Sequence, residues 1–239
     1  MADPRASDHL ALARDLEQRD IDVAARLDAV AAVLGRVDDV RARATRVRVA
    51  LEGMPGQILH AERDERDARA REAEARIELD EAERRFANVS GSRRSSEDAK
   101  VEAERALRRA AVAAGDAATS AAKARGRLED LVREEAALQA EGEGLAVEAR
   151  DVALTVAAVP RVSESGRTVP GTSLGQIEQW GARAHAALFV VRGSLETERE
   201  RLVLEANSLA AATFGDHGGS ASVALVRRRL EEWAAGSSE

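Results

Sequence analysis

EDAKVEAERALRRAAVAAGDAATSAAKARGRLEDLVREEAALQAEGEGLAVEARDVALTVAA, residues 97–158, decides the fold. Ala103, Ala110, Ala117, Ala124, Leu131, Leu138, Leu145 and Val152 recur every seventh residue. A second row four places on holds Leu107, Ala114, Ala121 and Leu128, then Glu135, Gly142, Ala149 and Val156. A strict seven-residue repeat keeps one seam of a helix turned toward a partner and favours a left-handed supercoil. The first half of the seam is alanine, which lets two helices approach closely. The second half is leucine.

The same step marks the segment before it. Over 8–52, Leu16, Val23, Val30, Val37, Ala44 and Leu51 form one row, and Val33, Val40 and Val47 form another. A stripe this wide suits a helix with more than one neighbour. Gly53-Met54-Pro55-Gly56 reads as its end, because glycine suits the residue after a helix and proline cannot continue one. A reversal there predicts a helical hairpin, with Ala61, Ala68, Ala75, Ala82 and Val89 on the returning rod. Residues 88–96 are polar and read as a loop, either a second reversal, which is favoured, or a break between roughly collinear helices, with Ser95 and Asp98 as the cap of the next helix.

Beyond 158 the pattern breaks at a linker, 159–172, which carries Pro160, Gly166, Pro170 and Gly171. Ser173 and Gln176 form a capping box. A fourth rod over 173–214 follows, with Leu174, Gly181, Leu188, Leu195, Leu202 and Leu209 in one row. Its companion row reads Ile177, Ala184, Val191, then Glu198 and Glu205, which predicts that a partner is lost toward that end. Residues 1–7 read as a disordered N-terminus and 215–221 as a flexible link. Residues 222–235 read as a short amphipathic helix with Val223, Val226, Leu230 and Trp233 on one face. No stretch alternates at period two, so no sheet is expected. The expectation is an all-α chain: an elongated antiparallel coiled coil or helical bundle of four long helices plus the short C-terminal one.

Composition narrows the function. Charged residues make up 33 % of the chain and aromatics 2 %, which suits narrow seams between rods better than a globular core. The net charge of −7 comes from interspersed signs, unlike the basic face of a typical nucleic-acid binder. Without cysteine there is no disulfide, thiolate metal site or cysteine nucleophile. No signal-peptide core and no membrane-length apolar run is present, so a cytoplasmic location is expected and no membrane partner. No P-loop, HExxH, GxSxG or zinc spacing occurs. His9, His60, His185 and His217 lie far apart, and none follows a glutamate at the di-metal spacing. We therefore expect no catalytic residue, cofactor, metal or small-molecule substrate. Arg93, Arg94, Arg227, Arg228 and Arg229 are the candidate contacts for phosphate or an acidic partner. Trp180 and Trp233 read as bundle anchors.

The Leu/Ala rows of 97–158 and 173–214, with Gly215–Trp233 as a joint, resemble the coiled-coil arm of SMC-like and Rad50-like chromosome or repair ATPases. The resemblance implies a non-enzymatic arm or scaffold that meets protein partners, or a second copy of itself, through helical seams. The family's nucleotide-binding loop, signature motif and Cys-x-x-Cys hook are missing, so it implies ATPase heads on another chain and carries over no functional residue. The alternative reading is a DNA-associated module that uses the arginine clusters. A helical-bundle metal protein or enzyme is the third.

Overall fold

The computed structural model describes residues 4–215 and 221–236. Among them are five helices and no strand: α1 (Pro4–Gly91), α2 (Glu97–Ala158), α3 (Glu164–Arg167), α4 (Leu174–Phe214) and α5 (Val223–Gly236). The chain is all-α, but three helices are long instead of four, at 88, 62 and 41 residues. The difference lies in Gly53–Gly56, where the expected turn is absent and α1 continues. Helix α1 also begins earlier than expected, at Pro4, so 4–7 are helical. Proline fits the first turn of a helix, where its missing N–H has no intrahelical partner to lose. Of the expected link 215–221, residues 216–220 lie outside the described residues, as do 1–3 of the N-terminal segment.

Proline inside a helix removes one hydrogen bond and crowds the carbonyl four residues back, at about 3 kcal/mol. Packing outweighs that cost here. Val47, Met54, Ala61 and Ala68 continue one seven-residue row straight through the proline, and all four are buried. Pro55 itself is exposed, as are Gly53 and Gly56. The missing bond therefore falls on the side open to water, and the buried stripe is uninterrupted.

The chain divides into two compact units. One comprises 46–142, the second half of α1 and the first part of α2. The helices turn through residues 92–96, a shorter loop than the sequence suggested, because α1 runs on to Gly91. Ser96, one place later than expected, caps α2: its Oγ accepts from the Ala99 N–H at 3.2 Å. At the other end of the hairpin Arg46 pairs with Glu141 at 3.4 Å. Along α2 both seam rows of this unit, from Ala103 to Gly142, are shielded, while nearly all the positions between are exposed. Facing them on α1, Leu51, Ile58, Glu65, Glu72, Leu79 and Phe86 hold one shielded row. Glu65 is the anomaly: a carboxylate at a seam position, only 6 % exposed and paired with Arg69.

The other unit comprises 1–45 and 143–239. Here α4 runs back along α1, with Asp38 against His185, Asp20 against Arg199 and Arg19 against Glu205. The last turns of α2 pack on one flank, through Leu145, Ala149, Val152 and Val156, all fully buried, and Arg43 pairs with Glu148 at 2.9 Å. The linker after α2 is packed, with the single turn α3 inside it and Val162, Gly166 and Pro170 buried. A Cβ on Gly166 would meet the Ala187 Cβ at 2.6 Å, so only glycine lets the linker lie this close to α4. The Ser173/Gln176 capping box forms as expected, and Gly215, at φ 64°, closes α4 with a left-handed cap.

The end of α2 is written into its two neighbours. On α1 the row Val47, Val40, Val33 is buried, and the same row then becomes Arg26, Arg19 and Leu12, the last 49 % exposed. On α4 the row Ile177, Ala184, Val191 is buried and becomes Glu198 and Glu205. Ala158, Val159 and Pro160 sit beside Val33 and Val191, at the point where both rows change. Past that point Arg19 and Glu205 approach each other to 3.9 Å across the flank that α2 has left.

Candidate functional site

The five predicted contact residues fall into two places. Arg93 and Arg94 sit in the 92–96 turn of the hairpin unit, both exposed. The turn is ordered by Ser92, whose Oγ accepts from the Arg94 N–H at 3.3 Å. Neither guanidinium has an ion-pair partner among the described residues. Behind the turn the alanines of the seam are too short to fill the space between α1 and α2. They leave a groove of about 820 Å3 floored by Ala82, Val89, Ala99, Ala103, Ala106 and Ala110. Its rim is charged but largely self-paired, through Arg85 with Glu81 and Arg109 with Glu102.

Arg227, Arg228 and Arg229 lie on α5 in the other unit and are engaged there. The Arg227 guanidinium forms ion pairs with Glu17 of α1 and with Glu231 of its own helix. Those pairings raise its pKa further and hold the Glu231 carboxyl below its ordinary range. Arg14 also reaches Glu231, at 3.4 Å. Arg228 pairs with Glu232 at 3.2 Å. The Arg229 guanidinium lies 4.5 Å from the centre of the Phe214 ring, and Phe214 meets Trp233 edge-on at 6.0 Å. These are cation–π and aromatic contacts that tie α5 to the end of α4. Asn207 completes the tie. Its amide donates to the Ala221 carbonyl and its carbonyl accepts from the Ala221 N–H, both at 3.1 Å.

No protein-family model, curated protein or solved structure matches this chain.

The histidines are not brought together. His9 bonds to Thr213 at 2.9 Å, His60 faces Asp64 on its own helix at 3.3 Å, and His185 bonds to Asp38 at 2.8 Å and stacks on Phe189. His217 lies outside the described residues. Among the described residues no group of three or more His, Asp or Glu could hold a metal. No described helix is long and apolar enough to cross a membrane. Trp180 is fully buried in the core, and Trp233 is half-buried against Phe214.

The sequence had no means of showing the α5 latch. Glu17 and Arg227 are 210 positions apart, and each looks like an ordinary surface charge in a sequence rich in both signs. A legible sign was present only in Phe214 and Trp233, two of the five aromatic residues of the chain, placed on either side of the link.

Proposed function

We propose that the protein is a non-enzymatic helical scaffold: an elongated coiled-coil arm that meets protein partners, or a second copy of itself, through helix-on-helix contacts. A place in an SMC-like chromosome or repair assembly is the setting its resemblance suggests. One observation carries the reading. In the hairpin unit the seven-residue rows of both helices stay shielded in unbroken phase, through Pro55 on one and from Ala103 to Gly142 on the other. A two-helix hairpin buries only one stripe of each helix, and its other faces remain available to a third. Alanine along the seam keeps the pair thin.

Small-angle scattering tests the shape. A compact globule of this length has a radius of gyration of about 18 Å. The arm reading requires a value well above that, with helical content retained by circular dichroism. A value near the globular figure overturns it. Sedimentation equilibrium over a range of concentrations then separates self-association from a dependence on another chain.

Arg93 and Arg94 favour one second reading, contact with nucleic acid or an acidic partner at the hairpin turn, because among the described residues no carboxylate pairs with them. Phosphate contacts give a steep loss of affinity with salt. A gel-shift titration at two salt concentrations, with Arg93→Ala/Arg94→Ala beside the unaltered chain, tests it. No binding at low salt removes it.

A further inference from the structure

Where α2 ends, the rows of α1 and α4 face each other without a third helix, and a cavity of about 240 Å3 opens there. Its walls are apolar: Val30 and Val33 of α1, Val191 and Leu195 of α4, and Val159 and Pro160 of the turn after α2. One guanidinium, that of Arg26, lines it as well. The register of this unit explains why that charge is unanswered. Arg19 faces Glu205, and one seven-residue step along each helix sets Arg26 toward Glu198. Glu198 is instead paired with Arg161, at 3.7 Å. Arg161 reaches it from a left-handed backbone position, φ 66°, just after Pro160. The carboxylate that the pattern reserves for Arg26 is thus taken. Arg26 has no ion-pair partner among the described residues, although it is half-buried beside an apolar cavity.

We propose that this cavity binds a small amphipathic anion, with an alkyl tail among the valines and an anionic head on the guanidinium of Arg26. The space equals roughly eight water-sized groups at about 30 Å3 each, which fits a tail of about six to eight carbons. Apolar walls with one placed charge are the usual composition of a small-ligand site. Arginine accepts carboxylate and phosphate heads alike, through paired N–H donors. The inference goes beyond the scaffold reading and does not depend on it.

The test is titration of the full chain with octanoate, mono-octyl phosphate and neutral 1-octanol, followed by methyl NMR of the valines and leucines. The site predicts saturable shifts confined to Val30, Val33, Val159, Val191 and Leu195. Either anion should bind roughly tenfold or more tighter than the alcohol, the size expected of a charge-assisted hydrogen bond. The two anions together decide which head the site prefers. Arg26→Gln should abolish the preference for anions while leaving weak binding of the alcohol. Ala29→Leu should fill the cavity and remove binding of all three, with circular dichroism confirming that each variant is folded. Shifts that fail to saturate, or equal binding of octanoate and octanol, overturn the proposal. Binding that survives Arg26→Gln unchanged overturns it too.

Discussion

Gly181 of α4 lies so close to Arg41 of α1 that a Cβ at 181 would stand 2.9 Å from the Arg41 Cβ. The contact is between the bases of two side chains, so neither can swing aside. Gly193, further along the same helix, has nothing within 4 Å of the same position. The two glycines therefore respond oppositely to substitution. Gly193→Ala gains helix propensity and stabilises by about 0.8–1 kcal/mol. Gly181→Val overpacks the α1–α4 contact and costs about 1–3 kcal/mol. For a chain of this size each kcal/mol moves the Tm by about 2–4 °C. Thermal denaturation of the pair, with Gly181→Val melting higher than Gly193→Ala, would refute the close approach.

Pro55 supplies a sharper test of the backbone. In a continuous α1 its replacement by alanine restores the N–H that the Leu51 carbonyl lacks, and stability rises by up to about 3 kcal/mol. If 53–56 were a reversal, the same change would loosen a turn and lower the Tm. The sign of one melting shift separates the two.

Asn207 holds the chain at Ala221 by two hydrogen bonds. Asn207→Ala leaves both backbone groups of Ala221 without that partner, at about 1–3 kcal/mol. The loss should be local. Amide exchange along α5 should quicken, while that of Leu188 and Val191 in the middle of α4 stays slow. Unchanged exchange in α5 would show that the latch rests on other contacts.

Acid should release the same helix. The hydrogen bond from Arg227 holds the Glu231 carboxyl below its ordinary value of 4.5, against the opposing effect of desolvation. A lowered carboxylate contributes stability that is fully present above 4.5 and is lost as pH falls through the lowered value. The indole resonance of Trp233, which packs on Phe214, should therefore shift in acid below the usual glutamate range, before the bundle as a whole unfolds. Glu231→Gln should abolish that step. An indole that moves only with global unfolding would show that the pair does not govern α5.

Glu65 occupies a seam position that its row would give to leucine. Replacing a buried charge by a well-packed apolar residue is often neutral or stabilising, by about 1–4 kcal/mol. Glu65→Leu should raise the Tm, and Glu65→Lys, which sets a like charge beside Arg69, should lower it.

The helical character of the chain was plain in the sequence because spacing carries it. Rows of Val, Leu and Ala at sevenths leave no room for a sheet, and they fall on the shielded positions of α1, α2 and α4. Local chemistry misled at Gly53–Gly56, where two glycines and a proline look like a stop. The contrary signal was there as well: Val47, Met54 and Ala61 keep the step of seven across the proline, which a turn would have no reason to preserve. Contacts between distant residues were out of reach. The engagement of Arg227 by Glu17, and the theft of Glu198 from Arg26 by Arg161, depend on which helices lie side by side. No spacing within one helix encodes that.

The exchange of valine for arginine on α1 and for glutamate on α4, at the level of Pro160, has a consequence for how the chain evolves. Those two ladders act as a ruler for their neighbour. Lengthen α2 by seven residues and its new apolar turn would slide over Arg26 and Glu198. Shorten it by seven and Val33 and Val191 would be left facing water. Insertions and deletions are thus forbidden near this boundary, unless three distant segments are rewritten together. The hairpin unit, where the α1 row runs on from Val47 through Ala61 to Val89 without a charge, is where the molecule is free to grow.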